Sequence, residues 1–290
     1  IAGLTIQVDS DLPIEDSTFH PKFRLFEANG PGPGEDTIHI RHHFSLPELK
    51  NRDLGERVYR RPPWAIYRKG NSWIYLGIPP DSSRSQKIHR IHRVAVFNHS
   101  HTRARIYSKS EETFLKGNLH SLTLFPTDQI LLARVLADRK GCFFHSAGII
   151  FKDKGLLFVG HSDAGKSTLM KMIKHRAKVL CDDRMIVRRQ RDGFFIHGTW
   201  SHGEVPEVSP DSAPLKAVLF LEKSEKNRLR LLESRQEAIR NLLACLIKPL
   251  TTADWWERML DLVEEIARDV PCYELQFDKT GKVIDLLNRL

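Results

Sequence analysis

The sequence predicts the α/β fold class, with a mainly β region over residues 1–120 followed by an α/β domain over residues 121–290. Three observations support this prediction. The first 120 residues are rich in turn formers and short strand-like segments. Beyond residue 126, apolar strands alternate with helical segments. A glycine-containing loop at 160–168 joins one of these strands directly to a helix, as is typical of α/β domains.

Length and composition indicate a soluble globular chain. It has 290 residues, enough for one large or two modest domains, with 41% hydrophobic and 28% charged residues. No apolar run reaches the ~18 residues of a membrane-spanning helix, so no membrane insertion is expected. The cysteines are far apart and form no C-x-x-C pair, which argues against a disulfide framework or zinc site and favours a reduced cytoplasm. They are Cys142, Cys181, Cys245 and Cys272.

The formal net charge of +9 is concentrated in part in two stretches, Arg84–Arg93 and Thr102–Lys109. Such stretches can bind nucleic acid, an anionic membrane or an acidic partner. They can also be the solvated face of a strand, since their basic residues alternate with apolar ones such as Ile91. The solvated face is the favoured reading, and nucleic acid is not an expected partner.

The N-terminal region contains one clear loop and two hairpin patterns. The loop is Asn29–Asp36. Trp64–Ile78 predicts two strands around Lys69–Asn71, and Arg93–Tyr107 predicts a second hairpin around Asn98–His101. His99 and His101 are two residues apart, a spacing compatible with one metal ion, but a solvated turn is the favoured interpretation.

The C-terminal domain reads as alternating strands and helices. A helix is predicted over Thr127–Gly141, with Thr127 as its N-cap and Gly141 as its end. Asp192-Gly193 marks a hairpin turn, and Trp255-Trp256 is expected to pack within a helix. The other predicted elements are strands on both sides of a turn at Lys152–Gly155, helix Lys166–His175, strand Lys178–Asp183, strand Leu215–Lys223, helices near Glu233–Ile247 and Thr252–Arg268, strand Cys272–Phe277 and a C-terminal helix.

The segment GHSDAGKST, Gly160–Thr168, fits the phosphate-binding pattern G-x-x-x-x-G-K-[ST]. In such a loop, backbone N–H groups surround phosphate oxygens, and the following helix adds the positive end of its dipole. The lysine reaches the β- and γ-phosphates and the serine hydroxyl binds Mg²⁺. The predicted nucleotide-binding residues are Gly160, His161, Ser162, Asp163, Ala164, Gly165, Lys166, Ser167 and Thr168.

Three further side chains are candidates for chemistry. Asp182 and Asp183 end a strand 16 and 17 residues after Lys166. One carboxylate near a γ-phosphate can hold Mg²⁺ while the other accepts a proton from an attacking hydroxyl, and the pattern leaves open which does which. His145 lies 21 residues before Lys166 on an apolar strand. It suits either a core position or a place beside a carboxylate, whose pKa it would tune.

These pieces, HSAGIIFKDKGLLFVGHSDAGKST followed by KVLCDDR, resemble the catalytic domain of the HPr kinase/phosphorylase group, in the phosphoenolpyruvate carboxykinase-like superfamily. The resemblance covers roughly residues 140–222 and weakens toward the C-terminus. It implies a carboxykinase-like P-loop nucleotide-binding core. The family loop usually reads G-x-S-G-x-G-K-S, so Asp163 stands in place of a glycine and brings a negative charge near the phosphates.

The resemblance also implies roles. Asp182 is favoured as the base, with His145 contacting it, and the metal site would comprise Ser167, Asp183 and Glu204. The stretch His197–Glu207 corresponds to the segment that completes the metal site in relatives. Trp200 and His202 either line the mouth of the same site or belong to an ordinary turn with a packed tryptophan.

The implied activity is transfer of the γ-phosphoryl group of ATP, with Mg²⁺, to a hydroxyl. The full signature of HPr kinase is missing, so the resemblance is to a relative with another substrate. Such relatives include kinases that phosphorylate a serine of a ribosomally made peptide, as in some lasso-peptide pathways. A peptide or protein acceptor is therefore expected, and an acidic one would suit the basic N-terminal region. Relatives are often homo-oligomers, which the sequence leaves open.

Two alternatives remain. The chain could be a small-molecule phosphotransferase or kinase/phosphorylase of the same superfamily. It could instead be a nucleotide-sensing module that transfers nothing. A transporter-type ATPase is disfavoured because no L-S-G-G-Q-like signature follows the loop, and a GTPase because N-K-x-D is missing.

Overall fold

The computed structural model describes residues 1–28, 36–48, 53–79, 91–249 and 252–290. The chain divides into two compact units, Gly3–Leu131 and Leu132–Leu290, the second including Ile1–Ala2. In the described ranges each unit contains one sheet, so the fold is mixed α/β with strands predominating. Most of the predicted loop at 29–36 and of the basic stretch at 84–93 lies outside the described residues.

The N-terminal unit contains, over its described residues, a seven-stranded sheet in the order β1-β2-β7-β6-β5-β4-β3. Both predicted hairpins are confirmed, as β4–β5 and β6–β7. A 3-10 helix covers Pro21–Phe26 and a short helix α1 covers Glu112–Leu115. The strands are β1 (Thr5–Ser10), β2 (Thr37–His43), β3 (Glu56–Arg61), β4 (Trp64–Lys69), β5 (Ser72–Gly77), β6 (Arg93–Asn98) and β7 (Arg103–Ser108).

One face of this sheet forms a core because alternate residues of each strand point to the same side. Tyr75, Phe97 and Phe125 are buried and pack with ring centroids 5.1 to 5.4 Å apart. His101 belongs to the same core: it is 1% exposed, and its Nε2 lies 2.7 Å from the Tyr75 hydroxyl. The prediction of a solvated turn is therefore wrong at His101, since the ring is buried and one of its nitrogens contacts a tyrosine hydroxyl in the interior.

The C-terminal unit is built on an eight-stranded sheet, counted over the described residues. Two long strands organise it. The first half of β8 pairs with β11 and its second half with β9 and β10. Strand β13 likewise pairs with β9, β12 and β15, so the pairings close into a ring through β8, β11, β12, β13 and β9. The strands are β8 (Gly141–Phe151), β9 (Lys154–Val159), β10 (Lys178–Cys181), β11 (Arg184–Gln190), β12 (Gly193–His197), β13 (Ser212–Lys223), β14 (Arg228–Leu231) and β15 (Cys272–Phe277).

Helices cover both faces of this sheet. On β9, Leu156 and Phe158 pack into a core with helices α3 and α6, while Leu157 and Val159 pack into a second core with α4 and α5. This division follows from strand alternation, which sends neighbouring residues to opposite faces. The helices are α2 (Ala133–Ala137), α3 (Lys166–Ile173), α4 (Arg235–Cys245), α5 (Ala253–Asp269) and α6 (Val283–Leu287).

Helices α4 and α5 and strand β15 agree with the sequence prediction. The turn after β8 is shorter than predicted, because Phe151 already pairs with Lys154 and only Lys152 and Asp153 lie between the strands. Trp255 is fully buried and its Nε1 donates to the Ala133 carbonyl at 3.0 Å, as expected of a packing residue. The helix predicted over Thr127–Gly141 ends too late. The helical turns stop at Ala137, and Gly141 is already the first residue of β8.

The β11–β12 turn differs by one residue from the prediction. Gln190 pairs with Gly193, so the turn residues are Arg191-Asp192, and Gly193 begins the next strand with φ at +123°. A glycine is suited to that left-handed backbone. In the described part of the chain, no helix is both long and apolar enough to cross a membrane.

Candidate functional site

The predicted phosphate loop lies between a buried strand and a helix. Strand β9 ends at Val159, and helix α3 begins at Lys166 after Gly165, whose φ is +98°. Asp163 has φ at +67°, in the left-handed region that favours glycine and that aspartate tolerates better than most residues. Asp163 therefore keeps the backbone conformation that glycine would adopt at this position, and adds an exposed carboxylate.

Lys166 is 7% exposed, and acceptors surround its ammonium group. Its Nζ donates to the carbonyl oxygens of Gly160 at 2.7 Å and His161 at 3.0 Å, and lies 3.0 Å from Nε2 of His145. An ammonium group has three protons and no lone pair, so Nε2 of His145 accepts. Burial lowers the pKa of Lys166, although neighbouring acidic groups such as Asp183 oppose this shift.

His145 connects Lys166 to Asp183. Because Nε2 accepts from the lysine, the neutral ring carries its proton on Nδ1, a tautomer assigned from these contacts. Nδ1 lies 3.2 Å from Oδ1 of Asp183 and donates to it. A guanidinium nitrogen of Arg184 lies 3.4 Å from the other oxygen of the same carboxylate.

The environment of Asp183 keeps its carboxylate charged. Burial raises the pKa of Asp183, but the hydrogen bond from His145 and the positive charges of Arg184 and Lys166 outweigh burial. The net pKa lies below the ordinary value of 3.8. Because of this lowered pKa, the carboxylate is ionised at neutral pH. Its side chain is 20% exposed and therefore accessible from solvent.

Asp182 has a different set of neighbours and is 2% exposed. Its carboxylate accepts from the Ser167 hydroxyl at 3.0 Å, from the Gly203 N–H at 2.5 Å and from the Val205 N–H at 3.0 Å. Three donors fix its orientation beside the first turn of α3. The contact predicted between His145 and Asp182 is made with Asp183 instead.

Strand pairing explains this separation. Strands β10 and β11 both pair with β8, one with Gly148–Ile150 and the other with Gly141–His145. Asp182 and Asp183 are the two residues that join β10 to β11. The chain bends at these two residues between the strands, and one carboxylate lies toward α3 and the other toward His145 on β8.

The segment Gly198–Asp211, which we call the strap, follows β12 and is joined to α3 and β10 by ion pairs. Nζ of Lys171 lies 2.6 Å from Oε2 of Glu204. Nζ of Lys174 lies 2.7 Å from Oε1 of Glu207. The side chains of Lys178 and Asp211 form a third ion pair. Along the sequence, the three lysines and the three acidic residues have the same spacing, first three and then four positions. The strap supplies both backbone N–H groups that bind Asp182, at Gly203 and Val205.

The metal set predicted from the resemblance, Ser167, Asp183 and Glu204, is not brought together. Ser167 contacts Asp182, and the Glu204 side chain is 72% exposed and bound to Lys171. In the described ranges no group of three or more His, Cys, Asp or Glu side chains is arranged to hold a metal. Trp200 is 2% exposed and thus packed in the interior.

Residues 122–290, more than half of the chain, match the model of the family described as SynChlorMet cassette protein ScmC. The chain belongs to this family. No curated protein matches it. One similar solved structure is the Hpr(Ser) kinase/phosphatase from Coxiella burnetii, which is 9% identical over 50% of this chain and 91% of that chain, with a TM-score of 0.30. A TM-score this low establishes neither a shared fold nor shared chemistry.

Sequence reasoning missed several parts of the site in this ScmC-family chain. The backbone N–H groups of Gly203 and Val205 have no side-chain signature. Arg184, whose guanidinium group lies against the Asp183 carboxylate, is not among the predicted site residues. The strap had one readable signal, the matched spacing of its acidic residues with the lysines of α3 and β10.

Proposed function

We propose that this ScmC-family chain is a kinase that transfers the γ-phosphoryl group of ATP to a hydroxyl group, with a serine of a peptide or protein as acceptor. The observation that carries this proposal is the division of two adjacent carboxylates. Asp182 lies beside the Ser167 hydroxyl, and Asp183 lies beside the His145–Lys166 pair. Phosphoryl transfer requires these two functions, a metal-binding group and a proton acceptor, in one site.

The loop Gly160–Gly165 and the start of α3 would receive the phosphates of ATP. Backbone N–H groups and the helix dipole favour negative charge at this point. The Lys166 ammonium group, which contacts two carbonyl oxygens of the loop and His145, would exchange these partners for phosphate oxygens. A phosphate would replace the neutral carbonyl acceptors with an anionic one, and a hydrogen bond between two charged groups is stronger. The proposed fold is accordingly a carboxykinase-like P-loop core.

Ser167 and Asp182 would hold Mg²⁺. A hydroxyl and a carboxylate 3.0 Å apart are hard oxygen donors, which suit this ion, and Mg²⁺ keeps several waters and so needs few protein ligands. Bound there, the ion would neutralise charge on the phosphates. Two backbone N–H groups of the strap hold the Asp182 carboxylate in place, so it would need little reorganisation to bind a cation.

Asp183 would accept the proton of the acceptor hydroxyl. As the hydroxyl oxygen forms its bond to the γ-phosphorus, the bond from that phosphorus to the bridging oxygen breaks, ADP leaves, and the hydroxyl proton moves to the Asp183 carboxylate. His145 orients this carboxylate through Nδ1. The assignment exchanges the two aspartate roles favoured by the resemblance, and its support is that Asp183 is the more accessible carboxylate.

The test is a phosphotransfer assay with the full chain, γ-labelled ATP, Mg²⁺ and peptides encoded near the gene. Lys166→Ala and Asp183→Asn are the site variants, and exposed Lys226→Ala and Asp192→Asn are matched controls. Label should appear on a peptide serine with the native chain and both controls, and fall by about 100-fold or more in the site variants. Tight ATP binding with no labelled acceptor would favour a nucleotide-sensing module, and label on a small molecule would favour a small-molecule phosphotransferase.

A further inference from the structure

A cluster of positive charge lies on the face of the N-terminal sheet opposite its aromatic core. Arg103 and Arg105 on β7 and His39 and Arg41 on β2 occupy alternate positions, so their side chains share one face. The parallel register places His39 beside Arg103 and Arg41 beside Arg105. All four residues are exposed, while the residues between them are buried.

These residues line a groove of about 340 Å³, which we call the arginine groove. This volume lies within the range of sites that hold small molecules or a few side chains. Val96 and Ala104 give the groove an apolar surface, and Asn98 and Ser72 give it polar groups. Asp9 on β1 also lines it and is the one acidic side chain among its described lining residues.

The stability of the sheet does not explain this arrangement. Like charges on directly neighbouring strand positions are destabilising, and Arg41 and Arg105 are such a pair. The charge of Arg41 is partly neutralised by Asp11, whose Oδ1 lies 3.0 Å from a guanidinium nitrogen of Arg41. In the described part of the chain, no carboxylate lies within ion-pair distance of the guanidinium groups of Arg103 and Arg105. Arg103 and Arg105, exposed at alternate positions of β7, are therefore available to an external anion.

We propose that the arginine groove binds an acidic segment of a peptide or protein in extended conformation, with carboxylates at alternate positions. Residues two apart on a strand are separated by roughly 6.6 Å, so Arg103 and Arg105 match the spacing of acidic residues at i and i+2 of an extended ligand. Each guanidinium can bind a carboxylate through two parallel hydrogen bonds. The identification of this ligand with the phosphoryl acceptor rests on the proposed function, whereas the binding itself does not.

The lining residues favour a peptide over a nucleic acid. Proteins that bind single strands use exposed aromatic rings on which bases stack. The aromatic residue that lines the arginine groove, Phe97, is 1% exposed and faces the core. The carboxylate of Asp9 would repel a phosphate backbone, but it can accept an N–H or hydroxyl group of a peptide.

The test measures binding by fluorescence anisotropy with the full chain, without nucleotide, at about 0.15 M salt, where longer-range attraction is screened. Three labelled peptides of equal length are compared: glutamates alternating with serines, the same composition with contiguous glutamates, and glutamines in place of glutamates. The variant is Arg103→Gln with Arg105→Gln. The control removes the same charge at Lys223 and Lys226, which are exposed in the other unit.

The alternating peptide should bind most tightly, and its affinity should fall by at least tenfold in the arginine variant and less than twofold in the lysine control. Equal affinity for both acidic peptides, or equal losses in both variants, would overturn the proposal in favour of non-specific attraction. Tighter binding of a single-stranded RNA of equal charge, lost in the arginine variant, would reassign the groove to nucleic acid. Circular dichroism and ATP binding check that the variants are folded. If the peptide binds but no labelled phosphoryl group is transferred, only the kinase proposal is rejected. If the phosphoryl group is transferred but no peptide binds the arginine groove, only the groove proposal is rejected.

Discussion

Nδ1 of His145 lies 3.2 Å from Oδ1 of Asp183, and this contact distinguishes two adjacent carboxylates that the sequence alone cannot tell apart. Among the described residues, the neighbouring Asp182 contacts no histidine and instead accepts from Ser167 and two backbone N–H groups. His145 also accepts from Lys166, so the ring joins the lysine to one carboxylate only. We therefore expect substitution of the two aspartates to change different kinetic properties of the protein.

Asp182→Asn should weaken Mg²⁺ binding, whereas Asp183→Asn should lower turnover. Loss of a metal-side carboxylate would raise the Mg²⁺ concentration for half-maximal activity by about tenfold or more. Loss of the proton acceptor would reduce kcat by about 100-fold at saturating Mg²⁺. Titration of activity against Mg²⁺ separates the two effects. Glu204→Gln is the control, because its exposed carboxylate is bound to Lys171 and its loss should leave the titration unchanged. The reverse pattern for the two aspartates would restore the roles favoured by the resemblance.

His145→Ala should reduce kcat by about ten- to 100-fold while changing the KM for ATP little, because His145 positions Asp183. His145→Asn should recover part of this loss, since an asparagine amide can place an N–H donor near the position of Nδ1. Steady-state kinetics of the two variants check the prediction, with exposed His175→Ala as the matched control. Equal losses in the alanine and asparagine variants would argue that the ring is needed for packing rather than for its donor.

Strands β4 to β7 could be predicted because their apolar residues alternate with polar ones, and a buried strand such as β9 could be predicted from its short apolar run. Strands β1, β2 and β3 were not predicted individually. Strand β14 was also missed, since only Leu229 of its four residues is even partly buried and the segment has no apolar pattern. The end of the helix after Pro126 was placed too late because Gly141 looked like a terminator, whereas β8 uses it to begin a strand. There the close approach of Arg188 and Leu136 leaves little space for a side chain.

Which residues belong to the candidate site could be predicted from the sequence, but how they are arranged in space could not. A loop of known pattern and a pair of aspartates identify themselves by residue type. Which carboxylate faces Ser167 depends on the pairing of β10 and β11 with the same long strand, a contact between distant residues. The N–H groups of Gly203 and Val205 that hold Asp182 are carried by every non-proline residue, so no sequence signal distinguishes them.

Asp163→Gly should tighten ATP binding several-fold. The residue has φ at +67°, a conformation that glycine adopts without strain, and its carboxylate brings negative charge to a loop that would hold phosphates. Asp163→Asn separates the two contributions, because asparagine also tolerates this backbone but is neutral. Isothermal titration with ATP gives the affinities. If the asparagine variant matches the glycine variant, charge is the cause, and unchanged affinity in both would place the carboxylate away from the phosphates.

Stability of the C-terminal unit should fall as the pH drops from about 6.5 to 4, in part through His197. Burial, together with the charge of Arg188, lowers the pKa of His197 from 6.5 to about 4. Between these values the unfolded chain binds a proton that the folded chain does not, so stability decreases with falling pH and levels off below the folded pKa. A difference of this size corresponds to on the order of 3 kcal/mol at its fullest.

His197→Gln should remove this contribution, because glutamine does not titrate. Its melting temperature should therefore decrease less between pH 7 and pH 4.5 than that of the native chain, whatever the packing cost of the substitution at pH 7. His175→Gln, at an exposed histidine, should follow the native chain across the same range. Parallel melting curves for His197→Gln and the native chain would mean that His197 titrates normally in the folded protein, and the acid sensitivity would then have to come from other groups of the C-terminal unit.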